Sequence, residues 1–314
     1  MPPSKASRRR AGHGRADLAE RQRRAREAQE EALQASREVL DRAAVRRDES
    51  WRMAAAANRR RCITVLWPPV AFGLALMALG AVALPLIAIG GALVVAWGVL
   101  AARAWQRAHV PSPLVEGITP HDAVASGALS ELAAARFEDV TESLCLALGL
   151  KVPELRVLVD PAPNALSTGA PPRAARIVAT SGLLERLERI ELEAVLAHEL
   201  SHVKRLDTLS GGLSLALVGG GSLPVPGSAR LALFLEGAHR EVEADLAAVL
   251  TTRYPPALVS SLEQLAASSG ATSLGSLPER ARAATARLWL APLEAGRVPP
   301  ACSLAERIEV LLEL

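Results

Sequence analysis

With 314 residues, half of them apolar and only 3% aromatic, the chain is long enough for one sizeable domain plus a membrane anchor. Three cysteines, Cys62, Cys145 and Cys302, are too few and too scattered for a disulfide framework or a cysteine metal site, and they fit a reducing compartment. The net charge of +3 hides an asymmetry: residues 1–61 hold 17 Lys or Arg against 9 Asp or Glu, a net of +8, which leaves −5 for the remainder.

The basic arm comes first. Ala16 to Met53 is rich in Ala, Arg, Glu and Gln and reads as one long helix. Such a helix is either solvated or coiled-coil, or it lies on anionic headgroups, where each Lys or Arg is worth about 1 kcal/mol. Nucleic acid is not expected as a partner, because no aromatic residues interleave the charges and Trp51 stands alone. The first 61 residues contain no apolar stretch of the kind a secretory signal needs, so the segment that follows is expected to act as an uncleaved anchor.

From Cys62 to Ala102 there are 41 residues without a charge. A hydrocarbon core of about 30 Å takes roughly 20 helical residues, so this run predicts two crossings that turn near Gly80 to Pro85. Arg59 to Arg61 flank one end and Arg103 and Arg107 the other, while the turn has no Lys or Arg. The positive-inside rule therefore puts both ends in the cytoplasm and makes the protein a multi-pass cell-membrane protein with the bilayer as a partner. Trp67, Trp97 and Trp105 suit the interfaces.

Residues 103–125 carry several prolines and read as a linker, and Ser126 to Leu148 reads as a helix ending at Gly149. Leu155 to Val159 and Arg176 to Ala179 are β-branched runs that predict short strands, with Asn164 to Thr168 as a third between them. From Ser181 onward the pattern is helical, with breaks expected at Pro255-Pro256, Gly270 to Pro278 and Pro299-Pro300.

Inside this helical part lies His198-Glu199-Leu200-Ser201-His202. Positions i and i+4 of a helix share a face, so both imidazoles can reach one metal ion while Glu199 sits beside its open position, the arrangement of a zinc hydrolase. From the composition, about 0.01 such matches are expected by chance, and the preceding Ile190 to Ala197 has no Gly or Pro to interrupt a buried helix. A third protein ligand would leave the fourth position for water. Arg240 to Leu250 offers a carboxylate pair at i, i+4 in Glu241 and Asp245, one able to bind the ion and the other to take the outer N–H of an imidazole; Glu243 points elsewhere on the helix. Between the two halves lies Thr208 to Ala229, 22 uncharged residues with six glycines and two prolines, which read as a loop. A single crossing there would put Glu241 on the opposite side from His198.

These segments resemble the HtpX-like and CaaX-prenyl-protease group of membrane-integrated zinc endopeptidases, from about Val157 to Leu314. Pro163 to Gly169 is similar to that group's edge segment, and Val178 to Leu187 to the strand and helix start before the active-site helix. Ala197 to Lys204 with Asp207, and Arg240 to Asp245, complete the match. The resemblance implies an α+β zincin-type metallopeptidase domain, mostly helical with a small β-sheet, anchored by an N-terminal transmembrane helical hairpin. It implies Zn2+ as the cofactor, held in gluzincin fashion by His198, His202 and Glu241. Glu199 would be the general base, Asp245 an outer partner of a ligand, and Asp207 a supporting residue. Asn164, Ala165 and Leu166 would hold a protein or peptide substrate as an added strand at the sheet edge.

The family's His-Pro pair before the last helix has no counterpart here. Arg297 to Cys302 stands in its place, followed by Glu306-Arg307-Ile308, and no histidine lies C-terminal to His239. That departure motivates a rival expectation, a zinc-binding but inactive membrane scaffold or sensor. The division expected is a basic arm at 1–61, a hairpin at 62–102, a linker at 103–125 and the metallopeptidase domain at 126–314, with the domain in the cytoplasm.

Overall fold

The computed structural model describes residues 48–79, 84–171, 174–219, 231, 234–237, 239–268, 274–294 and 302–314. The arm up to residue 47, the hairpin tip and residues 220–230 lie outside these, as do residues 270–273 of the break expected at Gly270 to Pro278 and the break expected at Pro299-Pro300.

Residues 48–66 form α1, and Pro68–Leu79 forms α2 after a bend at Trp67. Pro68 and Pro69 lack N–H groups, which breaks the helical ladder at this point. The carbonyl of Leu66, just before the bend, accepts from the Trp97 indole at 2.8 Å. Trp97 thus ties the hairpin together. Leu84–Ala108 forms α3, so the second apolar helix continues six residues past the expected boundary at 102. It crosses α2 where Gly73 and Gly90 meet: a Cβ on Gly90 would come within 2.7 Å of the Gly73 carbonyl. Small residues at such a crossing let the backbones approach. Two helical stretches, Asp48–Ala78 and Ile87–Ala108, are long and apolar enough to span a bilayer, and only 11% of each apolar window is buried, unlike a soluble core helix.

The stretch 103–125 expected as a linker contains α4 (Pro120–Ala125), and α5 (Glu131–Leu148) follows it. The single helix expected from Ser126 therefore starts later, because Gly127 turns the chain at φ 72° and Ser130 caps α5 by accepting from the Ala133 N–H. Three strands overlap the two β-branched runs and the segment between them: β1 (Glu154–Leu158), β2 (Ala165–Ala170) and β3 (Ala174–Thr180). Their order is β1-β3-β2, with β1 parallel and β2 antiparallel to β3. β2 closes onto β3 at Gly169 (φ 74°), where any side chain would strike the Ala174 carbonyl.

Then follow α6 (Ser181–Arg186) and α7 (Arg189–Lys204). Nearly every residue of α7 from Glu191 to Val203 is buried, so it is the central helix, and its neighbours pack on all sides. Leu206 takes the left-handed region at φ 59°, a costly choice for leucine, and this corner turns the chain into α8 (Asp207–Ser214) and a π-helical turn at Leu215–Gly219. The loop expected from Thr208 is thus helical as far as it is described. Gly212 serves close packing rather than a loop, since a Cβ there would lie 2.7 Å from the carbonyl of Ala108 at the end of α3. Cys62, Ala104 and Ala108 of the hairpin join Leu209 and Leu213 of α8 in one buried cluster.

The chain ends with α9 (Arg240–Thr252), α10 (Pro255–Ala267), α11 (Glu279–Thr285) and α12 (Leu304–Leu312). The break expected at Pro255-Pro256 falls just before it, at Arg253 and Tyr254, because proline suits the first turn of a helix.

Candidate metal centre

Helix α7 carries His198 and His202 on one face, their rings edge to face with centroids 4.7 Å apart. Their Nε2 atoms lie 3.1 Å from each other. Glu241, in the first turn of α9, brings its carboxylate to 3.4 Å from His198 Nε2 and 3.7 Å from His202 Nε2. One donor atom from each of the three lies within 4.8 Å of the others.

The opposite ring nitrogens are occupied. His198 Nδ1 faces Asp245 at 2.7 Å and His202 Nδ1 faces Asp207 at 2.9 Å. His202 Nδ1 shares a hydrogen bond with Asp207 and His198 Nδ1 lies within ion-pair distance of Asp245, so in the neutral tautomers with the proton on Nδ1 both Nε2 atoms are lone pairs, pointed at each other and at a third acceptor. Three acceptors crowded this closely repel unless a cation sits among them, so the donor set fits a divalent metal. Burial disfavours a charged imidazole at His198, but the Asp245 carboxylate overcomes this and pushes its pKa up to about 9. An incoming cation therefore displaces a proton, and its affinity rises with pH up to that value.

The carboxylates are held in turn. Burial pushes Asp245 and Glu241 toward the neutral form, yet both stay below the usual carboxylate range. Arg307 and His198 hold Asp245 ionised, and Arg240 and the two histidines hold Glu241. Arg307 meets Asp245 with two parallel contacts of 2.7 Å and donates through Nη1 to the Leu290 carbonyl, also at 2.7 Å. Arg240 lies 3.0 Å from Glu241. Asp207 accepts from Arg205 Nε at 3.2 Å and from the carboxamide of Asn58. Glu199 is buried beside His198, and its Oε2 has no hydrogen-bond partner among the described residues.

His198, His202 and Glu241 are thus brought together, with Asp245 and Asp207 behind the two imidazoles. Glu243 points away to an ion pair with Arg205. The substrate edge is different. Asn164, Ala165 and Leu166 are fully buried, the Asn164 amide bonds to both backbone groups of Ala291, and Leu290 N–H donates to the Ala165 carbonyl. The chain's own 289–291 segment takes the edge expected for substrate, so these three residues offer it no free backbone. Further along β2, Ser167 to Gly169 line a cavity of about 610 Å³ that reaches Asp207 and Arg240.

Sequence reasoning missed Asn58, Arg205, Arg240 and Arg307 as parts of the site. For Arg307 a signal existed: it lies on the face of α12 that buries Leu311, where a lone cation needs a partner. Asn58 gave none.

The sequence model of peptidase family M48 matches residues 131–289. Among curated relatives, the Protease HtpX homolog of Tropheryma whipplei (strain TW08/27) is 38% identical over 162 residues, covering 41% of this chain and 56% of that protein. The Protease HtpX homolog of Dictyoglomus thermophilum is 35% identical over 159 residues, covering 40% and 52%. The chain spans about half the length of these relatives. No solved structure matches significantly.

Proposed function

The chain belongs to peptidase family M48, and from that premise we propose that it is a membrane-anchored zinc endopeptidase that cleaves proteins or peptides at the cytoplasmic face. The observation that carries this reading is the convergence of two buried imidazoles and the half-buried Glu241 carboxylate, each imidazole facing an outer carboxylate, in a chain whose Glu199 has an oxygen with no hydrogen-bond partner among the described residues. When bound by His198, His202 and Glu241, zinc supplies Lewis-acid polarisation of the scissile carbonyl and lowers the pKa of water to about 7.

Everything else is the work of side chains. Glu199 takes the proton of the attacking water on its unpaired oxygen and passes it to the leaving amine. Asp245 and Asp207 keep the imidazole protons on Nδ1, and Arg307 and Arg205 keep those carboxylates ionised and oriented. Substrate enters through the cavity beside Ser167 to Gly169.

We expect one zinc per purified chain by metal analysis. Glu241→Ala should lose it and Glu243→Ala should keep it, because only the former faces the imidazoles. The reverse pattern would show the ligand assignment to be wrong.

The anchor is the hairpin of residues 62–102, with the arm 1–61 and the domain 126–314 on one side. Exposed apolar side chains along both helices and arginines at both ends support this placement. In a cysteine-free background, an impermeant maleimide added outside intact cells is expected to label Ala83→Cys and not Ser276→Cys. Labelling at Ser276→Cys would overturn the orientation.

A further inference from the structure

Asn58 lies on α1 among arginines, yet it is 4% exposed while Arg59 and Arg60 face out. Asparagine is a poor helix former, and nothing in the helix itself calls for it at this position. Its carboxamide is fully used. Nδ2 donates to the Arg205 carbonyl at 2.9 Å and to Asp207 Oδ1, while Oδ1 accepts from Arg61 at 3.3 Å. The other oxygen of Asp207 takes His202 Nδ1 and Arg205 Nε. One carboxylate is therefore pinned at both ends, and Asn58 holds the end away from the imidazole. The Arg205 carbonyl belongs to the end of α7, where helical carbonyls have no internal partner, so the same amide also secures the corner at Leu206 that brings Asp207 back to His202.

We propose that Asn58 is a positioning residue of the metal site, acting through Asp207 on His202, so that the helix leading into the first apolar span is a working part of the active centre. This rests on the zinc assignment above. Without the amide, Asp207 is held through one oxygen alone, by Arg205 and His202, and the imidazole proton faces a less fixed acceptor.

The test uses the full chain in lipid-supplemented detergent, with zinc affinity read by competition against a chromogenic chelator. Asn58→Leu, Asp207→Asn and the double variant are compared with the parent. Asn58→Leu should weaken zinc binding about tenfold, within the range for residues that orient a ligand, and shift the visible spectrum of the cobalt-substituted protein. In the Asp207→Asn background the same substitution should change affinity by less than about twofold, since its route to His202 is gone. Parent-like affinity for Asn58→Leu overturns the proposal, as does an equal loss in both backgrounds. Should Asn58→Leu fail to assemble, Asn58→Ala removes the same donor without added bulk and is scored on the same criteria. A parent chain that takes up no zinc would refute the metal site itself, whereas zinc uptake that ignores Asn58 refutes only the coupling.

Discussion

Glu199→Gln is expected to keep its zinc and lose peptidase activity by about 10²- to 10⁴-fold, the usual contribution of a general base. The amide has nearly the shape of the carboxylate, and Glu199 is not one of the three clustered donors, so metal content should match the parent. What changes is the unpaired oxygen: Glu199 Oε2 is buried with no donor among the described residues, the environment of an acceptor waiting for a proton. Casein degradation and self-cleavage by purified protein, with metal content measured on the same samples, check both halves. Equal rates for variant and parent would sink the mechanism. Zinc-loaded parent protein without turnover would favour the inactive scaffold that the missing C-terminal histidine suggests.

The second large effect is expected at Arg307, which is 1% exposed and carries Asp245 in a two-point contact. Arg307→Met leaves the carboxylate buried beside His198 without its cation, and breaking a buried pair from one side costs about 3–5 kcal/mol. At this size that corresponds to a melting temperature lower by roughly 10 °C. Arg307→Lys should rescue only part, because an ammonium group cannot bridge both oxygens. The double variant Arg307→Met, Asp245→Asn should recover stability by removing the uncompensated charge, without recovering full zinc affinity. Thermal melts of the four proteins decide it, and a parent-like melt for Arg307→Met would refute the assignment.

The parts of this molecule legible in the sequence are those set by short spacing. His198 and His202 fall on one helical face by arithmetic alone, as do Glu241 and Asp245, and two β-branched runs with the segment between them marked the three strands. The two apolar helices followed from the uncharged run. What was missed depends on partners far away in the chain. Thr208 to Ala229 looked like a loop because glycine weakens helices in isolation, but in its described part Gly212 is there so that α8 can touch Ala108. The sheet edge at Asn164 to Leu166 looked free because nothing local reveals that Trp289 and Leu290 return to cover it. The arginine that holds Asp245 sits 62 residues further on, and no periodicity connects them.

Those distances bear on how the centre comes into being. The contacts of Asn58 with Asp207 and of Arg307 with Asp245 span 149 and 62 residues, so each closes a long loop whose entropy must be spent before any reward is collected. Helix α7 can form early from local propensity, with both histidines already on one face. At that stage their rings are free to choose either tautomer and rotate, and they make a poor trap for an ion. Only when the hairpin base, α9 and α12 have docked are both Nδ1 protons held and both Nε2 atoms aimed. The kinetics of zinc capture during refolding will therefore follow tertiary docking, lagging behind the recovery of helical signal.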